Sequence, residues 1–398
     1  MREAIPTEVC AQGAAAVQIS EDPRAAADQA PPGAARPLPA ARARGTYKLG
    51  RLARVPEVDL ESRLDFAEGF RKWAVQDYGR QASVRISGLA APLAGDSQTS
   101  ISLQDLHAAV GKDRFVWTNV RCKTTAQQLL WKYLREAYHA KSEVFLRELE
   151  EAEPQHAGNL ELNPELEIPE YARHEIHIQP GGYIGDPLGG YIYNHAVNVF
   201  TFSRMSEDAF HLELANLVPT PEDGRIEHIL DLGAGIGQLP MAMKERFKDA
   251  RVCGLDAAAP MLRYAHMRAV TANIDVQFVQ RLAERTGFPD QSFDIITAYI
   301  LFHEVPTTAA RQIVAEAARL LRPGGVFFPV DFATGHTVAP GVRFNQWWDH
   351  VHNNEVWTEE YRSQDFGALL EAAGLVVTPA SRPGNSTLWN GIRATKPQ

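Results

Sequence analysis

The residues best suited to chemistry lie in the string Asp231-Leu-Gly-Ala-Gly-Ile-Gly237. An acidic residue ends an apolar run, and glycines at every second position lead into a segment with helical periodicity. Glycines allow a sharp backbone turn and the close approach of a ligand. Asp256 ends the next apolar run. Because ligands of open parallel sheets bind at the carboxyl ends of the strands, these residues predict one binding site.

The spacing of the glycines discriminates between ligands. A turn that binds a nicotinamide dinucleotide reads G-x-G-x-x-G and holds pyrophosphate at a helix N-terminus. Here the third glycine comes one position early, and Gln238 stands where that motif has glycine. The Asp231 carboxylate would repel pyrophosphate but suits an ammonium group, and Asp256 suits two ribose hydroxyls. S-adenosylmethionine carries both groups and is the predicted cofactor, whereas a dehydrogenase is disfavoured.

Four motifs in order resemble those of the class I S-adenosylmethionine-dependent methyltransferases. The string Phe288-Pro-Asp-Gln-Ser-Phe-Asp294 is similar to the small-molecule branch, which includes enzymes of the ubiquinone- and menaquinone-biosynthesis type. The resemblance covers about residues 221–398. The other three motifs are the glycine turn, Gly254-Leu-Asp256 and Leu320-Leu-Arg-Pro-Gly-Gly-Val-Phe327.

The resemblance implies a fold and a set of cofactor contacts. The fold is an α/β, Rossmann-like sheet of seven strands with an antiparallel last strand, in which Gly374–Thr378 and Thr387–Ala394 supply the last two. Family members often carry an acid after the third strand that helps to hold the adenine amine. This chain has Leu282 there, so that contact falls to the backbone of Leu282 and Ala283 or to Glu284. The implied cofactor residues are Asp231, Gly233, Ala234, Gly235, Gly237, Asp256, Ala257, Met261, Leu282, Ala283, Ala298 and Tyr299.

The catalytic candidates are His303 and Glu304, which follow the fourth strand. A sulfonium is already an activated methyl donor, so the enzyme must align the acceptor, exclude water and often remove a proton. Histidine titrates near neutral pH and suits the role of base. The alternative is a histidine that packs against the cofactor or the next helix, with Glu304 fixing it.

Two segments are candidates for binding the acceptor. The first surrounds a Pro-Gly-Gly turn, and its alternative interpretation is a purely structural turn. If it is a strand, His174 and His177 face opposite sides, so no metal site is expected. On a turn, the set formed by His174, His177 and Asp186 could instead converge with His303 and Glu304. The second has aromatic residues at helical spacing, which form either a wall for the acceptor or a helix face docked on the N-terminal domain. The predicted acceptor residues are Tyr183, His177, Phe344, Trp347 and Trp348.

The chain divides into three regions by composition. Residues 1–45 hold 14 Ala and 6 Pro and predict a disordered tail. Residues 46–220 predict a mainly helical domain that binds substrate or mediates oligomerisation. Its predicted elements are a helix from Leu129 to about Leu149 after a capping box at 125–128, an alternating stretch over 173–183 and a helix from about Tyr193 to Leu217.

Residues 221–398 alternate strands with helices, which predicts a parallel sheet covered on both faces. The five predicted strands are His228–Leu232, Arg251–Leu255, Val276–Val279, Phe293–Ala298 and Val326–Val330.

Composition and charge limit the kinds of partner that we expect for this protein. The 398 residues carry a formal net charge of −9 without a Lys/Arg block, which argues against nucleic acid. The sequence contains no apolar run of about 18 residues, so it predicts no membrane span. Its three cysteines show neither disulfide-type nor metal-type spacing, which fits a reducing cytoplasm. We therefore expect a cytoplasmic methyltransferase for a small apolar or aromatic acceptor, with the N-terminal domain as the candidate homodimer surface. The alternative is a catalytically silent module that keeps the cofactor pocket and serves a partner protein.

Overall fold

The computed structural model describes residues 58–93, 101–156, 159–200, 208–334, 339–386 and 388–398. The predicted tail at 1–45 lies outside these residues. The described chain is a mixed α/β structure in which one sheet is packed between helices. None of the described helices is long and apolar enough to cross a membrane.

The sheet has eight strands, in the order β1-β4-β3-β2-β5-β6-β8-β7. Seven of them reproduce the expected sheet, in which β8 runs antiparallel to both of its neighbours. The eighth strand, β1, was not expected, and it pairs in parallel with β4 at the edge. The bounds are β1 Leu160–Glu161, β2 His228–Leu232, β3 Arg251–Asp256, β4 Gln277–Gln280, β5 Phe293–Tyr299, β6 Leu321–Val330, β7 Val376–Pro379 and β8 Ile392–Thr395.

The central strands are buried on both faces, which explains why they read as apolar runs in the sequence. Every residue of β5 is buried, and β2 is buried from its second residue onward. The five strands predicted from apolar runs agree with the observed ones to within one residue at each end, except at the start of β6, whereas β7 and β8 begin two and five residues later than predicted. At the start of β6, the Arg322-Pro-Gly-Gly turn is a bulge inside the strand, where the pairing register with β5 shifts.

Six helices of the described chain follow the first central strand. One of these helices ends at Leu320 and β6 begins at Leu321, so no loop separates this helix from the strand. The six are α8 Gln238–Arg246, α9 Ala259–Ala272, α10 Thr307–Leu320, α11 Pro340–His352, α12 Thr358–Arg362 and α13 Phe366–Ala372.

The N-terminal region is mainly helical and packs directly on the sheet region. Tyr191 packs against Tyr264 of α9 with ring centroids 4.6 Å apart, and its hydroxyl donates to Glu148 at 2.8 Å. These contacts give the two regions a shared core. The helices are α1 Val58–Lys72, α2 Tyr78–Ala90, α3 Leu103–Val110, α4 Arg114–His139, α5 Ser142–Ala152, α6 Gly189–Phe200 and α7 Ala209–Leu217.

Three predictions for this region were wrong in detail. The predicted capping box lies inside α4, which begins after Asp113, whose side chain accepts from the Val116 amide. The stretch over 173–183 is not a strand: it contains the 3₁₀ turn Ile176–Ile178, with His177 at φ 55°. The predicted helix over 193–217 is represented by α6 and α7, with Asp208 in a left-handed conformation just before α7.

Candidate functional site

A cavity lies at the carboxyl ends of β2, β3 and β5, where the sequence predicts the cofactor. Its floor comes from the sheet region, and its roof comes from residues 171–184 and Tyr193 of α6. The N-terminal region therefore supplies part of this site. Eight of the twelve predicted cofactor residues line the cavity: Gly233, Gly235, Asp256, Ala257, Met261, Leu282, Ala283 and Tyr299.

The glycine turn leaves its backbone open to the cavity. Gly233 and Gly235 have φ of 73° and 50°, conformations that L side chains rarely adopt. A Cβ at Gly235 would meet no atom within 4 Å, so it would occupy the space that a ligand can use. By contrast, a Cβ at Gly237 would lie 2.8 Å from Phe278 and 2.9 Å from Ala265, so this glycine permits packing behind the turn.

Asp256 links the glycine turn to the start of α9. One carboxylate oxygen accepts from the Gly235 amide at 2.8 Å, and the other accepts from the Ala258 amide at 2.8 Å. Each carboxylate oxygen has a second lone pair, so both can still accept a ligand hydroxyl. Burial raises the pKa of Asp256, although the neighbouring backbone amides act in the opposite direction. The side chain suits a ribose diol at the cavity wall.

Asp231 lies beneath the turn, behind the cavity wall, together with Ala234, Gly237 and Ala298. Its Oδ1 accepts from the Thr297 hydroxyl at 2.7 Å. Burial raises the pKa of Asp231 to about 8, and the Thr297 hydrogen bond offsets this in part. A cationic group above the turn would favour its ionised form.

The wall after β4 shows how the missing acid is accommodated. Leu282 and Ala283 line the cavity, and Leu282 forms an isolated bridge with Arg285 that holds the turn. Glu284 also lines the cavity, but its carboxylate accepts from the Tyr171 hydroxyl of the roof. Tyr171 was not among the predicted residues. It connects the roof to the cavity wall formed by Leu282 and Ala283.

His303 is buried and held by Asp331, which follows β6. Its Nδ1 lies 2.8 Å from Asp331 Oδ1, and its Nε2 lies 3.9 Å from a carboxylate oxygen of Glu304 and 3.9 Å from one of Glu355. Burial alone would lower the pKa of His303, but the carboxylates of Asp331, Glu355 and Glu304 together outweigh burial and raise the pKa to about 9. The ring is therefore an imidazolium at neutral pH.

Of the three acidic residues around His303, Glu304 is the one that lines the cavity. Its side chain keeps 18% of its surface accessible, against 5% for His303. The Tyr183 hydroxyl donates to Glu304 Oε1 at 3.1 Å, and the Tyr183 and Tyr193 rings meet edge to face at 5.4 Å. Burial raises the pKa of Glu304 to about 7, although His303 lowers it. Glu304 is poised to gain or lose a proton near neutral pH.

The sequence did not indicate Glu355 as a residue of this site. It lies in the turn between α11 and α12 and is buried, with Oε1 at 2.7 Å from His177 Nδ1. Its Oε2 is buried and has no hydrogen-bond partner among the described residues. The sequence gives no local signal for this arrangement, because Glu355 and His177 are far apart along the chain and meet only in the folded state.

His177, although predicted to bind the acceptor, is outside the cavity wall and contacts Glu355 instead. Asp186 accepts from His139 Nε2 at 2.8 Å and is likewise outside that wall, whereas His174 lines it. Among the residues with a described position, no group of three or more His, Cys, Asp or Glu side chains could hold a metal ion.

The aromatic residues of α11 pack away from the cavity. Phe344 and Trp348 belong to a buried cluster with residues of α2, α3 and α4, and Trp347 packs against it. The Trp348 Nε1 donates to Thr124 Oγ1 at 3.1 Å, and Lys123 Nζ lies 3.9 Å from its ring centroid. This position agrees with the alternative interpretation, a helix docked on the N-terminal domain. Tyr183 is the one predicted acceptor residue that lines the cavity.

Comparison with known proteins supports the interpretation of this cavity. Residues 229–325 match the family model described as "Methyltransferase domain". A demethylmenaquinone methyltransferase of Thermus thermophilus is 32% identical over 125 residues, 31% of this chain and 56% of the relative. A ubiquinone/menaquinone biosynthesis C-methyltransferase of Brucella anthropi is 28% identical over 190 residues, 43% of this chain and 70% of the relative. An uncharacterized methyltransferase of Synechocystis is 28% identical over 188 residues, 47% of this chain and 83% of the relative.

Residues 229–325 thus match a methyltransferase domain, and this segment includes the glycine turn and Asp256 of the cavity. The match with the first of these relatives spans about half of that protein's length. It also accounts for less than a third of this chain.

Proposed function

We propose that this chain transfers a methyl group from S-adenosylmethionine to a small molecule with an exchangeable O–H or N–H. The glycine turn and Asp256 at one cavity carry the proposal, since an open backbone and a carboxylate with free lone pairs suit an amino acid joined to a ribose. The bound sulfonium would supply an activated methyl group. The Asp231 carboxylate, behind the turn, balances the positive charge of the amino-acid end.

The roof supports the choice of a small acceptor. Tyr183 and Tyr193 present two aromatic rings to the cavity, and Glu304 adds one carboxylate beside them. Ring faces of this kind pack well against an apolar or aromatic acceptor, and the carboxylate can accept a hydrogen bond from its O–H or N–H. Closure of the roof over the cavity also limits the access of water to the reacting atoms.

The test is a turnover assay of the purified chain with S-adenosylmethionine and a panel of hydroquinones, phenols and primary amines. S-adenosylhomocysteine and the methylated product would be followed by mass spectrometry, with Asp256→Ala as the matched inactive control. Product from at least one acceptor, lost in that variant, supports the proposal. Cofactor binding without turnover on any class of acceptor would instead favour the silent binding module.

A further inference from the structure

Five ionisable side chains from four separate segments meet next to the cavity. They are His177 of the 3₁₀ turn, His303 and Glu304 after β5, Asp331 after β6, and Glu355 between α11 and α12. Two imidazoles face three carboxylates. Even with both rings protonated, the carboxylates exceed them by one charge, and a buried group without a counter-charge takes up a proton.

The surplus charge falls on Glu304 because the other two carboxylates have closer cationic partners. Asp331 has the His303 ring at 2.8 Å, and Glu355 has the His177 ring at 2.7 Å. Glu304 has the Tyr183 hydroxyl at 3.1 Å, while the His303 Nε2 is 3.9 Å away. Tyr193 of α6 also lies near Glu304, and its neutral hydroxyl adds no positive charge to the group. Glu304 is therefore the group of the five that exchanges a proton most readily.

The position of Glu304 directs this exchange towards the cofactor. It lies three residues after Leu301, whose side chain would be 3.1 Å from a Cβ placed on Gly233. Both Leu301 and Glu304 line the cavity. The carboxylate is thus at the wall that faces the glycine turn, and the roof tyrosine fixes its orientation.

Building on the function proposed above, we propose that Glu304, and not His303, is the catalytic base that accepts the acceptor's proton. The acceptor oxygen or nitrogen forms the new bond to the methyl carbon. The carbon–sulfur bond breaks with its electron pair on sulfur, and the acceptor's proton moves to the Glu304 carboxylate. His303 is a positioning residue, a fixed cation that lowers the pKa of Glu304 from the still higher value that burial alone would give.

The experiment compares S-adenosylmethionine with S-adenosylhomocysteine and needs no acceptor. Both carry the same amino-acid and ribose groups, so protonation of Asp231 or Asp256 affects both affinities alike. Only the first has a sulfonium charge, which an ionised Glu304 attracts. The ratio of the two dissociation constants, measured by calorimetry, should shift in favour of S-adenosylmethionine between about pH 6 and about pH 8, by up to about tenfold.

In Glu304→Gln this ratio should not change with pH, because the amide does not titrate while the Tyr183 hydroxyl can still donate to it. In the matched variant Glu355→Gln the ratio should still change, with its midpoint at lower pH, because a neighbouring negative charge is gone. A pH-independent ratio in the wild type, or an unchanged dependence in Glu304→Gln, would overturn the assignment. If neither ligand binds, the proposed function itself fails, which is a different result.

Discussion

Asp331 contacts both the imidazole ring and the backbone amide of His303. Oδ1 lies 2.8 Å from the ring Nδ1, while Oδ2 accepts from the His303 amide at 3.2 Å and from the Phe302 amide at 2.8 Å. One fully buried carboxylate thus fixes the segment after β5, the direction of the imidazole and its charge. The remaining ring nitrogen, Nε2, is left pointing at Glu304 and Glu355.

The first prediction concerns stability in Asp331→Asn. A histidine whose pKa is about 9 when folded stabilises the fold fully below its unfolded pKa of 6.5. That contribution is lost as pH rises from 6.5 through 9, and it amounts to about 3 kcal/mol. Chemical denaturation at about pH 6 and about pH 9.5 should therefore show a smaller loss of stability in the variant than in the wild type. Equal pH dependence in both proteins would contradict this account, and His303→Gln should behave like Asp331→Asn.

The second prediction concerns Asp256→Ala. The ribose hydroxyls lose their acceptor, and a hydrogen bond to a charged group contributes roughly 1.5–3 kcal/mol. Calorimetry should therefore give a dissociation constant for S-adenosylhomocysteine about ten- to a hundredfold higher. Asp249→Ala, at an exposed position outside the cavity wall, is the control and should bind as the wild type does. Unchanged binding by Asp256→Ala would refute the ribose assignment.

The third prediction concerns proton release on cofactor binding. Burial raises the pKa of Asp231 to about 8, so the carboxyl group is largely protonated at neutral pH in the free protein. A ligand ammonium group favours the carboxylate, so binding should release up to about one proton, and affinity should rise with pH up to about 8. Calorimetry of S-adenosylhomocysteine in buffers of different ionisation enthalpy measures this number directly. Asp231→Asn should release fewer protons, and a value of zero in the wild type would exclude the mechanism.

The fourth prediction separates packing from acceptor binding at Trp348. Because Trp348 is 6% exposed and packs in the α2–α4 cluster, Trp348→Ala should cost about 3–5 kcal/mol of stability. Its affinity for S-adenosylhomocysteine should remain close to that of the wild type, since the residue is outside the cavity wall. Val351→Ala, on the same helix but 51% exposed, is the control and should unfold at nearly the wild-type temperature. If Trp348→Ala were as stable as the wild type but had a raised KM for the acceptor, the aromatic residues of this helix would be assigned to acceptor binding instead.

The sheet region was predictable because its signals are local. The β2 strand, the glycine turn and α8 follow one another along the chain, and each depends on residue types at fixed spacing. The strand β1 could not be predicted in the same way. Its two residues, Leu160 and Glu161, form a strand only because β4 offers them backbone partners.

The acidic and histidine cluster illustrates the same limit at the site. Glu304 stands next to His303 in the sequence, so the pair was visible, but their charges depend on Asp331 and Glu355 from distant segments. Likewise, the helical spacing of Phe344 and Trp348 predicts a helix face but not which neighbour covers it. Sequence patterns thus identified the elements, while tertiary contacts decided the protonation states and the packing partners.

The strand β1 also affects how copies of this protein can associate. The sheet edge beyond β4 consists of only two paired residues, which leaves little backbone for another strand to extend. The opposite edge, β7, is four residues long and ends at Pro379, whose nitrogen cannot donate a hydrogen bond. Neither edge offers a long template for intermolecular strand addition. The fold therefore protects an eight-stranded sheet against edge-to-edge aggregation.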